Sequence, residues 1–101
     1  MKWPDQRARL PNRRGCLSVG FWFEGHEYRA TAGWFADGRL AEIFLHVSGK
    51  LGTPLQSNAD NVAILASLLL QHGVAPDVIR HSVTGPIALA LAHFANPVEA
   101  E

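Results

Sequence analysis

Hydrophobic and polar positions alternate with period two along the first half of the chain, then switch to a helical spacing. Residues 16–24, CLSVGFWFE, place Leu17, Val19, Phe21 and Phe23 on one face and Cys16, Ser18, Gly20, Trp22 and Glu24 on the other. That alternation predicts a β-strand. Gly25 and His26 supply a tight connection. Residues 27–35, EYRATAGWF, predict a second strand, with Tyr28, Ala30, Ala32 and Trp34 opposing Glu27, Arg29, Thr31, Gly33 and Phe35. Asp37-Gly38 is the strongest hairpin signal in the chain. Residues 40–47, LAEIFLHV, predict a third strand with Ala41, Ile43, Leu45 and Val47 on one side. Short turns join the three into an antiparallel meander.

The period then changes. Residues 48–56 read as a loop broken by Gly49, Gly52 and Pro54. Ser57, with Asp60 three residues on, has the pattern of a capping box. The helix it starts is expected to run to about His72 and to stop at Gly73 in the C′ position. Val62, Ala63, Ile64, Leu65, Ala66, Leu68, Leu69 and Leu70 go most of the way round, which predicts a helix buried on all sides, against the sheet and a further helix or subunit. Pro76 suits the first turn of a short helix over 76–82, and Pro86 the start of another over 86–95, ended by Asn96-Pro97. The expected fold class is α+β: a three-stranded antiparallel β-meander followed by two or three helices packed on one sheet face. A basic irregular arm over 1–15, a single domain over 16–96 and a short tail over 97–101 complete the organisation.

Composition adds to this picture. At 101 residues the chain supports one domain, and its 48% hydrophobic content fits a globular one. Charged residues make up only 18%, below the usual share of about 25%. So little charge predicts apolar surface that assembly would cover, and a homodimer is expected. A three-stranded sheet, with two edges and an open face, points the same way. Net charge is zero but uneven. Lys2, Arg7, Arg9, Arg13 and Arg14 stand against Asp5 in the first fourteen residues, while acidic residues outnumber basic ones in the rest. Such an arm can contact phosphates, an acidic protein or a neighbouring subunit, or be simply solvated. A lone Cys16 rules out an internal disulfide, no apolar run reaches membrane-spanning length, and the N-terminus has no secretory pattern. A cytoplasmic location is expected.

Candidate chemistry is sparse. The five histidines make no metal-binding spacing, and there is no C-x-x-C, so no metal is expected. Cys16, alternating with apolar neighbours, reads as a small buried hydrophobe. Gly49-Lys50-Leu51-Gly52-Thr53 mixes glycines with a lysine and a threonine but lacks P-loop spacing. Asp37 is explained by its turn, and Glu42 by a surface pairing with Arg29 or Arg39. No catalytic residue and no cofactor is expected. The remaining candidates are binding residues: Trp22, Arg29 and Trp34, whose strand positions could stack bases or fill a core or interface, together with Lys50 and the arm residues Arg7, Arg9, Arg13 and Arg14.

The order of motifs resembles the TSCPD domain family over residues 10–92. It runs from LPNRRG before the first strand through YRATAGWFADGRLAEIFL and NVAILASLLLQHGV to IRHSVTGPIALAL. Residues 37–44 and 67–74 carry the most specific part. The resemblance implies the C-terminal domain of some adenosylcobalamin-dependent ribonucleotide reductases, a domain that also occurs as small stand-alone proteins. The family's Thr-Ser-Cys-Pro-Asp motif and the cysteines proposed to bind zinc are missing, so zinc is not implied. The resemblance implies a non-catalytic accessory or regulatory module docking on a ribonucleotide reductase or another nucleotide enzyme through the arm and the Lys50 loop. The alternative is a nucleic-acid-associated protein, or a small inhibitor of a nucleic-acid enzyme, using the arm and the Trp22, Arg29 and Trp34 surface.

Overall fold

A computed structural model describes residues 16–95. Three strands come first: β1 (Cys16–Phe23), β2 (His26–Trp34) and β3 (Leu40–Val47). Three helices follow: α1 (Pro54–Gln71), α2 (Pro76–Ser82) and α3 (Pro86–Ala95). The strands form one antiparallel sheet in the order β1-β2-β3. This is the α+β meander that the periodicity predicts.

Both hairpins follow from local chemistry. Glu24 and Gly25 link β1 to β2 with φ values of 49° and 82°. Positive φ at both central residues matches the right-handed twist of the flanking strands. The second hairpin loop holds Ala36, Asp37 and Gly38. Phe35 N–H donates to the Arg39 carbonyl at 2.8 Å, and Gly38 N–H to the Phe35 carbonyl at 3.0 Å. Gly38 takes φ 95°, which an L side chain would resist. Asp37 locks the loop by accepting from Arg39 N–H at 3.0 Å and from Arg39 Nε at 2.8 Å. The Arg39 guanidinium lies over the Phe35 ring, 4.6 Å from its centroid. On the far side of the turn Trp34 pairs with Leu40 while Gly33 pairs with Glu42, so Ala41 is bulged.

The core lies between one sheet face and the helices. Tyr28, Ala30, Ala32, Ile43, Leu45 and Val47 meet Ala59, Ala63, Ala66 and Leu70 of α1 and Ile87, Ala90, Leu91 and Phe94 of α3. Tyr28 stacks on Phe21, with ring centroids 5.6 Å apart. Burial raises its phenol pKa, with a further push from Glu24.

Polar side chains of α1 fasten the helix along the free edge of β3. Gln56 Oε1 accepts from Val47 N–H at 2.7 Å, and its Nε2 donates to the Leu45 carbonyl at 3.1 Å. The same Nε2 reaches Asp60 Oδ1 at 2.7 Å. Ser67 Oγ accepts from Ile43 N–H at 2.9 Å and donates to the Ile43 carbonyl at 3.0 Å. Gln71 Nε2 donates to the carbonyl of the bulged Ala41 at 2.9 Å. All three side chains are buried.

The structure corrects several expectations. The N-cap of α1 is Thr53, whose Oγ1 accepts from Gln56 N–H at 3.4 Å, with Pro54 at the first helical position. The expected capping box at Ser57 lies inside the helix. Proline at N1 has no N–H to leave unpaired, so the helix starts at Pro54. Its other end is as expected: Gly73 N–H bonds to the Leu70 carbonyl at 3.1 Å and Val74 N–H to the Leu69 carbonyl at 3.0 Å. These are the paired bonds of a Schellman motif. Nor is α1 buried all round: Val62, Ile64 and Leu65 are exposed. Cys16 is exposed rather than buried: it opens the edge strand β1, whose first residues are exposed on both faces. Among the described residues, no helix is long and apolar enough to cross a membrane. The arm and the tail, with Arg7, Arg9, Arg13 and Arg14, fall outside the described residues.

Two outcomes test this account. Ser67→Ala leaves a buried donor and a buried acceptor of Ile43 without partners and should destabilise the domain by about 1–3 kcal/mol. Urea unfolding should show that loss with an unchanged slope. Asp37 is expected to titrate below the ordinary carboxylate range, held down first by the Arg39 backbone N–H and then by the Arg39 side chain. Its folded pKa is lowered, so the stability it lends is present above the unfolded value and is lost as pH falls through the folded one. A carboxylate NMR titration reads this directly, and Arg39→Ala should reverse the lowering only in part, since the backbone bond survives.

Candidate binding surface

Side chains alternate across a strand, so the positions facing away from the core follow from those facing it. The outer face carries Ser18, Gly20 and Trp22 from β1, Glu27, Arg29 and Thr31 from β2, and Glu42, Phe44 and His46 from β3. The register sets them in rows. Ser18 pairs with Thr31, and Thr31 with Phe44; Gly20 pairs with Arg29, and Arg29 with His46; Trp22 pairs with Glu27. Ser18 Oγ and Thr31 Oγ1 share a hydrogen bond of 2.8 Å. Arg29 extends across the space above Gly20, where an added Cβ would lie 3.8 Å from its Nη2.

Arg29 is the centre of this face. His46 is its direct neighbour on β3, while Trp22 and Phe44 occupy diagonal positions on opposite sides. Diagonal neighbours on adjacent strands lie about 7–8 Å apart, within reach of long and aromatic side chains. Trp22 keeps 68% and Phe44 52% of its surface exposed. Two large exposed aromatics around an arginine form a patch of the residue types that dominate binding energy at protein interfaces. Glu27 and Glu42 give the same face negative charge beside the positive charge of Arg29.

Trp34 does not belong to this surface. It lies on the opposite sheet face, half-buried, with its ring edge-on to Phe94 at 5.8 Å. There it helps line a cavity of about 310 Å³ with Arg39, Leu70, Val74, Pro76 and Phe94. The predicted trio of Trp22, Arg29 and Trp34 is therefore split between the two faces. Lys50 sits in the loop between β3 and α1, half-buried, its N–H bonded to the Val47 carbonyl at 3.2 Å and its carbonyl accepting from Thr53 Oγ1 at 2.6 Å. That loop serves as the turn that delivers the N-cap of α1. The Arg39 side chain pairs with Asp37. Phe44 and His46 were missed as site residues, although the period of β3 sets both beside Glu42. Among the described residues, no three histidine, cysteine, aspartate or glutamate side chains come together as a metal site would need.

Comparison with known proteins bears on what such a surface serves. The chain is similar to a short part of vitamin B12-dependent ribonucleotide reductases. It is 39% identical to the enzyme of Agrobacterium fabrum over 69 residues, 68% of this chain and 5% of that protein. Against the enzyme of Bradyrhizobium diazoefficiens it is 39% identical over 72 residues, 71% of this chain and 6% of that protein. Against that of Rhodopirellula baltica it is 30% identical over 94 residues, 93% of this chain and 9% of that protein. The chain thus spans less than a tenth of the length of the relatives it matches. No family model matches it, and no solved structure does.

Trp22 and Phe44 face solvent, so Trp22→Ala and Phe44→Ala should each change stability by no more than about 0.5 kcal/mol. Ile43, which is fully buried beside Phe44 in sequence, should lose about 2–5 kcal/mol on conversion to alanine. Chemical denaturation of the three variants checks the assignment of faces.

Proposed function

We propose that this domain is a non-catalytic accessory module of TSCPD type that docks on a vitamin B12-dependent ribonucleotide reductase through the open face of its sheet. The observation that carries the reading is the similarity to a short part of that reductase over more than two thirds of the chain. A match to so small a fraction of a large enzyme fits an appended domain better than the reductase's catalytic body. The face around Arg29 supports a protein partner, because Trp, Phe and Arg together make strong anchors where water is excluded. The same match makes a cytoplasmic setting the natural one for the module.

Nucleic acid is the second reading, and the exposed Trp22 and Phe44 beside Arg29 are what favour it, since open sheets stack bases on such rings. Glu27 weighs against it, because a carboxylate on the contact face repels phosphates.

Biolayer interferometry with the immobilised reductase of the same source separates the two. The expected result is saturable binding that Trp22→Ala and Phe44→Ala each weaken by about tenfold or more, the loss of one hot-spot anchor. Absence of binding to the reductase would overturn the reading. Single-stranded DNA binding that falls steeply between about 50 and 200 mM salt would establish the second one instead.

A further inference from the structure

The outward side of α1 is unusual for a solvent-facing helix. Its eighteen residues contain one charged side chain, Asp60, whose carboxylate already accepts from Gln56. Ile64 and Leu65 are 55% and 61% exposed, and Val62, three residues before Leu65 and next to it on the helix surface, is exposed as well. An exposed helix normally turns charged and polar residues to water on this side.

Next to these residues lies a hole. Tyr28, Leu45, Leu55, Val62, Pro86 and Ile87 line most of a cavity of about 130 Å³ between α1 and the start of α3. A dry apolar cavity of about 150 Å³ accommodates benzene, so this one can take a leucine side chain. The protruding residue and the hole are on the same helix. Asn58, which also borders the cavity, precedes Leu65 by seven residues, about two turns or 10 Å along the helix.

We propose that α1 packs against α1 of a second copy of this chain, with Leu65 of each protomer filling the cavity of the other. A two-fold axis passing near Asn61, perpendicular to the helix, brings both protruding residues to both holes at once. Such an isologous contact requires the patch to be complementary to itself, and a leucine and a leucine-sized hole on one helix meet that requirement. The chemistry favours a copy over an unrelated partner. The core of homodimer interfaces is richer in apolar groups and poorer in charge than other interfaces. An uncharged strip offers no charge pattern by which a different protein would be selected, and it sets no like charges against each other when it meets itself.

Light scattering coupled to gel filtration tests this on the full chain. At micromolar concentration the expected mass is twice the 11.0 kDa of one chain. Leu65→Asp should bring it to the single-chain value while the far-ultraviolet circular dichroism stays that of wild type. A second measurement does not depend on that variant: Asn61→Cys in a Cys16→Ser background should form an intermolecular disulfide under mild oxidation, and Val78→Cys on α2 should not. A wild-type monomer mass, an unchanged mass in folded Leu65→Asp, or equal cross-linking at both cysteines would overturn the proposal.

Discussion

The fold depends on how β3 ends the sheet. An edge strand presents a row of unpaired N–H and C=O groups that invites another chain to pair with it. Here α1 occupies that row. Gln56 takes Val47 N–H and the Leu45 carbonyl, Ser67 takes both groups of Ile43, and Gln71 takes the Ala41 carbonyl. The helix runs antiparallel to the strand. From Gln56 to Gln71 it rises about 22 Å, while the strand positions it serves, Ala41 to Val47, span about 20 Å. The two flexible glutamine side chains at the ends absorb the difference, and the short serine sits between them, where helix and strand are closest. Ala59, Ala63 and Ala66 make that closeness possible, since larger side chains on this face would hold the helix off the edge.

Fixing the helix this way also fixes its rotation. With Gln56, Ser67 and Gln71 turned to the strand, the buried arc includes Ala63 and Leu70, Val62 and Leu65 must point outward, and Ile64 lies exposed on the flank next to Gln71. The apolar outer face of α1 is thus a consequence of polar anchoring on the inner one. A helix held by apolar contacts alone could rotate to bury more leucine. This one is held in phase by hydrogen bonds whose loss would leave buried backbone groups unpaired.

Much of the architecture was legible in the sequence, and each error has its own physical cause. Period two defined the three strands, Asp37-Gly38 marked the second hairpin, and Gly73 marked the end of α1, because each signal is local. The start of α1 was misplaced because Ser57 and Asp60 form a plausible cap in isolation, whereas Thr53 followed by Pro54 provides one. Gln56, Ser67 and Gln71 passed unnoticed because polar residues in a helix are ordinarily read as its wet side. Their spacing alongside Ala59, Ala63 and Leu70 was the available signal: polar residues on the same face as the most buried apolar ones. Of the candidate binding residues, Trp22 and Arg29 come together and Trp34 does not. The alternation itself separates positions 22 and 34 once strand register is known, but with large aromatics on both faces of β1 the sequence could not tell which face the helices cover.

The distribution of aromatics across the sheet then acquires a meaning. Phe21, Phe23 and Trp34 extend from the helix-covered face and close the rim of the core against Tyr28 and Phe94. Trp22 and Phe44 extend from the other face and contribute nothing to that core. Rings that keep half or more of their surface in water add little folding stability, and the chemical setting of Trp22 and Phe44 differs from that of Ile64 and Leu65. The sheet face mixes aromatic rings with Arg29, His46 and two carboxylates, a pattern suited to recognising a chemically distinct partner. The helix face is apolar and uncharged, a pattern suited to its own likeness. Because one surface projects from the sheet away from the helices and the other lies along α1, a dimer built on the helix leaves the sheet face of each protomer open. Self-association through α1 would therefore present two copies of the Arg29 face to a larger enzyme, and their effective concentration would strengthen binding without a new contact.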